Sequence, residues 1–400
     1  MRFLPFLALP LAFVAPASAQ TSDVTPEDRY IHDRMMVLDT HLDVPLRFRD
    51  GWDFGDHHHF AEDNSQVDLP RMALGGLDGG FFVIYTPQGE VSPAGYRQAR
   101  DAALLRTSEI HRMLSAHRDD IALVTTPNEA EQAWRDGKRI AFLSIENSWP
   151  LGEDISLLET FHKLGVRMAG PVHSRTNQLA DSTTGEARWR GLSPLGRRWV
   201  AEMNRLGMLI DVSHSSDAAF DQMVELSRVP VIASHSGPKA IFDHPRNLDD
   251  ERLRRLARTG GVLFLNSLFL APGVNSEGHD DMEQRQRRWG QMTDAERRQL
   301  LRDRAALEAR QPFSNADFET YMRALMHVIR VMGVDHVGLG ADWDGGGGVQ
   351  GLEDISLLPR ITARLRREGI SEADIAKIMS GNLMRVMRQA QAGAAVQPAR

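Results

Sequence analysis

Short apolar, β-rich runs recur along the chain, separated by stretches of helical spacing. Strands are expected at Val37–Asp43, Gly80–Tyr85, Ile140–Glu146, Arg167–Val172, Met208–Val212, Val231–Ser234, Gly261–Asn266 and His336–Ala341. Several of these runs are apolar throughout, the pattern of parallel strands covered on both faces. Helical spacing shows in Gln98–His117, Pro194–Leu206, Asp217–Leu226 and Asp249–Thr259. Thr25-Pro26-Glu27-Asp28 marks a helix start leading to Met36, and Ser371 with Asp374 gives a capping-box-like start to Ile375–Met387. Eight strands alternating with helices predict an α/β fold, a closed (β/α)8 barrel of the TIM type. An open doubly wound sheet is the runner-up, but it would place a glycine-rich turn after the first strand. Here that position reads Thr40-His41-Leu42-Asp43-Val44-Pro45, without a glycine.

The two ends and one internal segment break the rhythm. Phe3 to Val14 is almost wholly apolar, follows Arg2 and leads to Ala17-Ser18-Ala19. Residues 1–19 therefore read as a signal peptide cleaved before Gln20, and the protein as exported, periplasmic or secreted. The apolar run is short and interrupted by Pro5, Pro10 and Pro16. No other segment approaches about eighteen uninterrupted apolar residues, so no membrane span is expected after cleavage. Gly273 to Phe313 is rich in Glu, Gln, Arg and Asp and follows the seventh strand. It reads as a helical insertion on the barrel rim, either a lid or a solvated excursion. The barrel domain spans 20–388, and the Ala- and Gln-rich stretch 389–400 is expected to be a disordered tail.

Composition narrows the chemistry at three points. A 400-residue chain with 42% hydrophobic and 25% charged residues is ordinary globular material with length for a large core. A net charge of −7 without any basic block argues against nucleic acid as a partner. There is no cysteine. That removes disulfides, thiol nucleophiles and thiolate ligands, so any metal site has to be built from His, Asp and Glu.

Those residue types gather at strand ends. His41 and Asp43, two apart on the first strand, point to one side. An imidazole nitrogen beside a carboxylate oxygen suits a borderline cation such as Zn2+. Asp39 shares their face and could stand behind them. The third strand ends Ile145-Glu146-Asn147, the fifth Asp211-Val212-Ser213-His214, and the sixth Ser234-His235-Ser236. The fourth leads into His173 and the eighth into Asp342-Trp343-Asp344. Six of eight strands thus deliver an ionisable residue to the rim where this fold carries catalysis. Buried charge on that scale calls for a compensating cation. By themselves the residues support a metal-dependent barrel hydrolase.

The same residues carry a family resemblance. Asp39-Thr40-His41-Leu42-Asp43, Ile145-Glu146-Asn147, Asp211-Val212-Ser213-His214, Ser234-His235-Ser236, Arg246-Asn247 and Gly340-Ala341-Asp342-Trp343-Asp344-Gly345 occur in order between about His32 and Met387. In these the chain resembles the renal (membrane) dipeptidase family, zinc dipeptidases related to the amidohydrolase barrels. The resemblance implies hydrolysis of small dipeptides by a hydroxide bridging two zinc ions. It places His41 and Asp43 on one zinc, His214 and His235 on the other, and Glu146 between them. It also implies that His173, Arg246 and Asp342 contact the substrate, and that the protein is a homodimer. The Gly345–Gly348 run and the 273–313 insertion are unusual and leave lid shape and substrate preference open. Two rival functions remain: another hydrolase on the same metals, such as an N-acyl-amino-acid deacylase or lactonase, and a non-catalytic zinc-binding module. The second would be expected to lack a ligand, and none is missing.

Other features read more plainly. His57-His58-His59, beside Asp53 and Asp56, is expected to be a solvated loop. His162, His327 and His336 read as structural. Asp344 is either a partner behind the ligands or a loop carboxylate, and Asn177 touches either substrate or surface.

Overall fold

The computed structural model describes residues 23–48, 51–273, 277–286, 288, 292–312 and 314–395. The expected signal segment 1–19 and residues 396–400 lie outside the described residues. Nine strands form one sheet: β1 (Leu38–Leu42), β2 (Gly79–Tyr85), β3 (Ile121–Leu123), β4 (Arg139–Glu146), β5 (Val166–Ala169), β6 (Leu209–Ile210), β7 (Ile232–Ser236), β8 (Val262–Leu265) and β9 (Val337–Leu339). Eight of them follow the order β6-β5-β4-β2-β1-β9-β8-β7, each pair parallel. The two ends of that path meet at one parallel bridge, Asp211 to Ile232, where the Val212 N–H donates to the Ile232 carbonyl at 2.8 Å. The expected (β/α)8 barrel is present. β3 is an addition to the ring and pairs only with the start of β4.

Successive strand residues face opposite sides, so each strand divides into an inner and an outer row. On β4, Ile140 and Phe142 share an apolar cluster with Leu38, Phe81, Met168, Leu209, Ile232, Val262 and Phe264. Ser144 and Glu146 continue that row toward the C-terminal end. The lower interior is therefore apolar and the mouth polar. Leu383, Met384, Val386, Met387 and Ala390 of the helix Asn382–Ala395 join the same cluster. Their burial orders a helix through residues 389–395, where a disordered tail was expected. Helices such as Pro194–Leu206 and Phe318–Met332 bury their apolar faces against the outer row, in the larger cluster containing Leu143, Ile145, Trp199 and Leu325.

The insertion holds two helices, Glu277–Gln286 and Asp294–Arg310, with a small cluster of Met282, Leu300 and Leu307 between them. It rests on the rim. Arg304 donates to the Phe60 carbonyl at 2.8 Å and to Asn64 Oδ1 at 2.6 Å, and its guanidinium lies 4.6 Å from the Phe60 ring centre. Arg47 holds the same loop from beneath, donating to the carbonyls of Asp63 and Asn64 and, at 2.5 Å, to Asp344. Loop 57–59 takes no part in the polar mouth: the His58 ring stacks on Trp52 at 4.1 Å and bonds the Asp53 carbonyl. Among the described residues no helix is long and apolar enough to cross a membrane.

Candidate active site

The chain turns sharply where it leaves several strands. Asn147, His214, Asp342 and Asp344 all have φ between 64° and 68°. This left-handed region is costly for residues with a Cβ and is held only when surrounding bonds demand it. The Asp342 carbonyl accepts the N–H groups of Gly345 and Gly347, and the His214 carbonyl accepts the Thr183 N–H. Asp39 pins the β1 end to the β9 end. Its Oδ1 accepts the His41 N–H at 2.8 Å, and its Oδ2 accepts Ala341 N–H at 3.0 Å and the Trp343 indole at 3.1 Å. Burial pushes this carboxyl up to about 6 against those three bonds.

Inside the mouth, Glu146 divides its two oxygens. Oε1 lies 3.0 Å from His214 Nε2 and 3.4 Å from His235 Nε2, and these two nitrogens are 2.9 Å apart. Oε2 lies 3.6 Å from His41 Nε2, which is 3.3 Å from Asp43 Oδ2 and 3.8 Å from Asp342 Oδ1. Three overlapping donor groups result: His41–Glu146–His235, Glu146–His173–His214, and His41–Asp43–Asp342. All of these side chains except His173 are buried. His41 Nδ1, Asp43 Oδ1 and His214 Nδ1 have no hydrogen-bond partner. Convergent imidazole and carboxylate donors, some unsatisfied, are what a borderline divalent cation takes, and so the residues fit a metal centre.

The electrostatics are those of a confined acidic pocket. Burial pushes Glu146 up, but the surrounding His173, His41, His214 and His235 outweigh it and hold it well below the usual range. Burial acts against a charged His41, yet Asp43 and Glu146 raise its proton affinity well above normal. His214 and His235 are held far below normal, by burial first and then by the positive charge of Arg246 and His41 respectively. Asp342 is pushed up to about 6, chiefly by burial and further by Asp43 and Glu146, with His41 opposing.

Two more residues face this centre. His173 Nε2 is 3.8 Å from Glu146 Oε1, while its Nδ1 is 3.0 Å from the Ser174 hydroxyl. Arg246 is buried; it donates to the His235 carbonyl at 3.2 Å, lies 5.6 Å from the Phe269 ring centre, and has an Nε without a partner.

A family model for membrane dipeptidases, peptidase family M19, matches residues 26–400. The chain belongs to this family. Dipeptidase tcpJ of Claviceps purpurea is 31% identical over 94% of this chain and 80% of its own. Among solved structures, the probable dipeptidase PvdM from Pseudomonas aeruginosa superposes with a TM-score of 0.79 at 27% identity, covering 92% of this chain and 98% of that one. A metallo peptidase from Rhodobacter sphaeroides, liganded with a phosphinate mimic of the dipeptide L-Ala-D-Ala, gives 0.71 at 28% identity, covering 89% and 99%. The protein is thus a metal-dependent dipeptidase of family M19.

Every residue singled out at the strand ends of this membrane dipeptidase converges on the one mouth, with Arg246 reaching it from the loop after β7. Sequence reading missed four contributors. Tyr85 ends β2 in register with Glu146, and its ring meets His173 edge-on at 5.0 Å. Gly345 packs against Asp43 and Asp342 so closely that a Cβ would overlap both carboxylates. Asp211 and Ser234 were read only as parts of motifs, yet they bond each other beneath His235. Asn177 meets neither expectation: it is buried, donating to Asn147 Oδ1 and the Pro171 carbonyl. Asp344 anchors the loop after β1, through Arg47 and the N–H groups of Gln66 and Val67.

Proposed function

We propose that this membrane dipeptidase is an exported enzyme hydrolysing dipeptides at a centre of two zinc ions. His41 and Asp43 would hold one ion, His214 and His235 the other, with Glu146 shared. The division of the Glu146 oxygens between these two donor sets carries the reading. Ions held by these residues would lower the pKa of a bound water toward neutrality and polarise a carbonyl.

The protein's own groups supply the rest. Arg246, with a donor to spare in a buried setting, takes the C-terminal carboxylate of the dipeptide. His173, its Nδ1 3.0 Å from the Ser174 hydroxyl, turns Nε2 toward the centre, and as a donor there it would stabilise the oxygen of the scissile carbonyl as charge develops. Asp342 accepts the proton of the attacking water and delivers it to the leaving amine. A carboxylate reader this close to the reacting centre limits the substrate to one residue beyond the scissile bond, which favours dipeptides over longer peptides.

Metal content measured beside hydrolysis of Ala-Ala and N-acetyl-alanine, with and without chelator, tests the proposal. About two zinc ions per chain and chelator-sensitive dipeptide hydrolysis are expected. Asp342→Asn should abolish turnover while both metals stay bound; a metal-loaded variant that still turns over would remove Asp342 from its role. N-terminal sequencing of protein recovered outside the cytoplasm should begin at Gln20 if the export reading holds.

A further inference from the structure

The ring of strands is thinnest between β6, which leads to His214, and β7, which carries His235. β2 and β4 pair along the whole of β2, whereas β6 is two residues long and the chain meets β7 at a single bridge just after it, Asp211 to Ile232. Side chains replace the missing ladder. Asp211 Oδ1 accepts the Ser213 N–H at 3.0 Å and, across the seam, the Ser234 N–H at 2.9 Å. Its Oδ2 is 2.6 Å from the Ser234 hydroxyl, the length of an O–H bonded to a carboxylate. Ser213 Oγ accepts the His235 N–H at 3.1 Å. The three residues Asp211, Ser234 and His235 are all buried.

These bonds decide where the His235 proton sits. A hydroxyl has one proton, and Ser234 gives it to Asp211. Its oxygen is then an acceptor, 2.8 Å from His235 Nδ1, so Nδ1 carries the hydrogen. The neutral ring keeps a lone pair on Nε2, the atom that faces His214 and Glu146. His41 and His214 have no such arrangement, since the Nδ1 of each is without a partner.

We propose that Asp211, through Ser234, sets the tautomer and aim of His235, and that this pair of positioning residues determines how tightly the His214/His235 metal is held. The inference rests on the metal reading of His235 given above. A carboxylate behind a ligating histidine typically contributes a factor of about 10–100 in metal affinity. Here a serine hydroxyl relays it, and the same carboxylate closes the barrel seam.

The test uses the full-length enzyme, zinc and a competing chelator, with calorimetric melting of the metal-free protein alongside. In Ser234→Ala one zinc should be lost at roughly 10–100-fold lower chelator concentration, the other leaving as in wild type. Ser234→Thr, which keeps a hydroxyl, should restore the affinity; Asp211→Asn should weaken the same zinc. The metal-free Ser234→Ala protein should still fold and melt cooperatively, a few degrees lower for the lost hydroxyl, because Asp211 retains both backbone N–H bonds. Unchanged zinc affinity in Ser234→Ala would overturn the relay. So would a loss of affinity that tracks metal-free melting and is not rescued by threonine, since that is a purely structural effect. If wild type itself binds no zinc, the metal reading fails first, a distinguishable result.

Discussion

Replacing Gly345 by alanine should separate the site from the fold. Gly345 closes a tight turn by donating its N–H to the Asp342 carbonyl at 3.1 Å. It does not have a positive φ, so a methyl group brings no backbone strain. The obstacle is steric: a Cβ there comes inside 3.0 Å of Asp43 Oδ2 and Asp342 Oδ1 and stands 3.1 Å from Asp43 Cγ. Both targets are ends of side chains, so the cost to folding is that of modest overpacking, about 1–3 kcal/mol. The cost to chemistry is larger. Those oxygens lie 3.3 and 3.8 Å from His41 Nε2, and they would have to retreat by roughly 1 Å to reach van der Waals contact. A misplacement of about 1 Å in a catalytic constellation is worth on the order of 100-fold in rate. Gly345→Ala should therefore lose about two orders of magnitude in kcat/KM for Ala-Ala, with the protein still folded and its melting temperature a few degrees lower. Bound zinc and calorimetric melting should be measured on the same sample. Full metal content with kcat/KM within about threefold of wild type would refute the steric account.

Two further outcomes are expected. His32 is fully buried, with Nδ1 2.7 Å from the Thr362 hydroxyl and Nε2 2.9 Å from the Gly75 carbonyl, and burial lowers its pKa to about 4. It stays neutral in the fold but takes up a proton below about 6.5 when unfolded, so its contribution is complete above that pH and is lost as pH falls toward 4. The stability gap between wild type and His32→Gln should shrink by about 2–3 kcal/mol from pH 7 to pH 4.5 in urea unfolding; an equal gap at both would contradict the assignment. Phe269, whose ring backs the Arg246 guanidinium, should act on binding: Phe269→Leu is expected to raise KM for dipeptides roughly fivefold or more with kcat little changed. A fall in kcat at unchanged KM would show that Arg246 is not the ground-state carboxylate reader.

What could be read from the sequence was whatever is local. An apolar run followed by an acid or histidine states both a buried strand and the polar end that leaves it, and His41, Asp43, Glu146, His173, His214, His235 and Asp342 were found this way, while Arg246 came only from the family resemblance. β3 has three residues, too few to show a period. The first helix stops at Asp33, capped by Arg34, before the expected end at Met36. The extension of the terminal helix through 389–395 was missed because Ala and Gln are as common in tails as in helices. What orders it is Leu383, Met387 and Ala390 meeting strand residues from across the whole barrel floor. Tyr85 looked like one more strand aromatic until register set it beside Glu146. Gly345 stood out only as the start of an unusual glycine run, and only the positions of Asp43 and Asp342 show what a side chain there would displace.

The misses share a cause that bears on how the site is held. Each motif residue sits on one strand, but the bonds that fix it come from the neighbouring strand, hundreds of positions away for Asp39 with Ala341 and Trp343. His214 and Asp342 occupy left-handed backbone, at a cost of about 1–3 kcal/mol each. Asp43, Glu146 and Asp342 crowd their carboxylates around one histidine. A lone strand could sustain neither the backbone nor the charge. The seams supply the first: Asp39 at β1–β9 and Asp211 at β6–β7 each bind the amide two residues ahead and one across the gap. The field that raises the proton affinity of His41 shows what is needed for the second, namely positive charge at Nε2, and two divalent cations would supply it. Removing metal should therefore lower stability as well as activity, by an amount set by the binding free energy. Equal melting temperatures with and without zinc would mean that the acidic mouth is neutralised some other way.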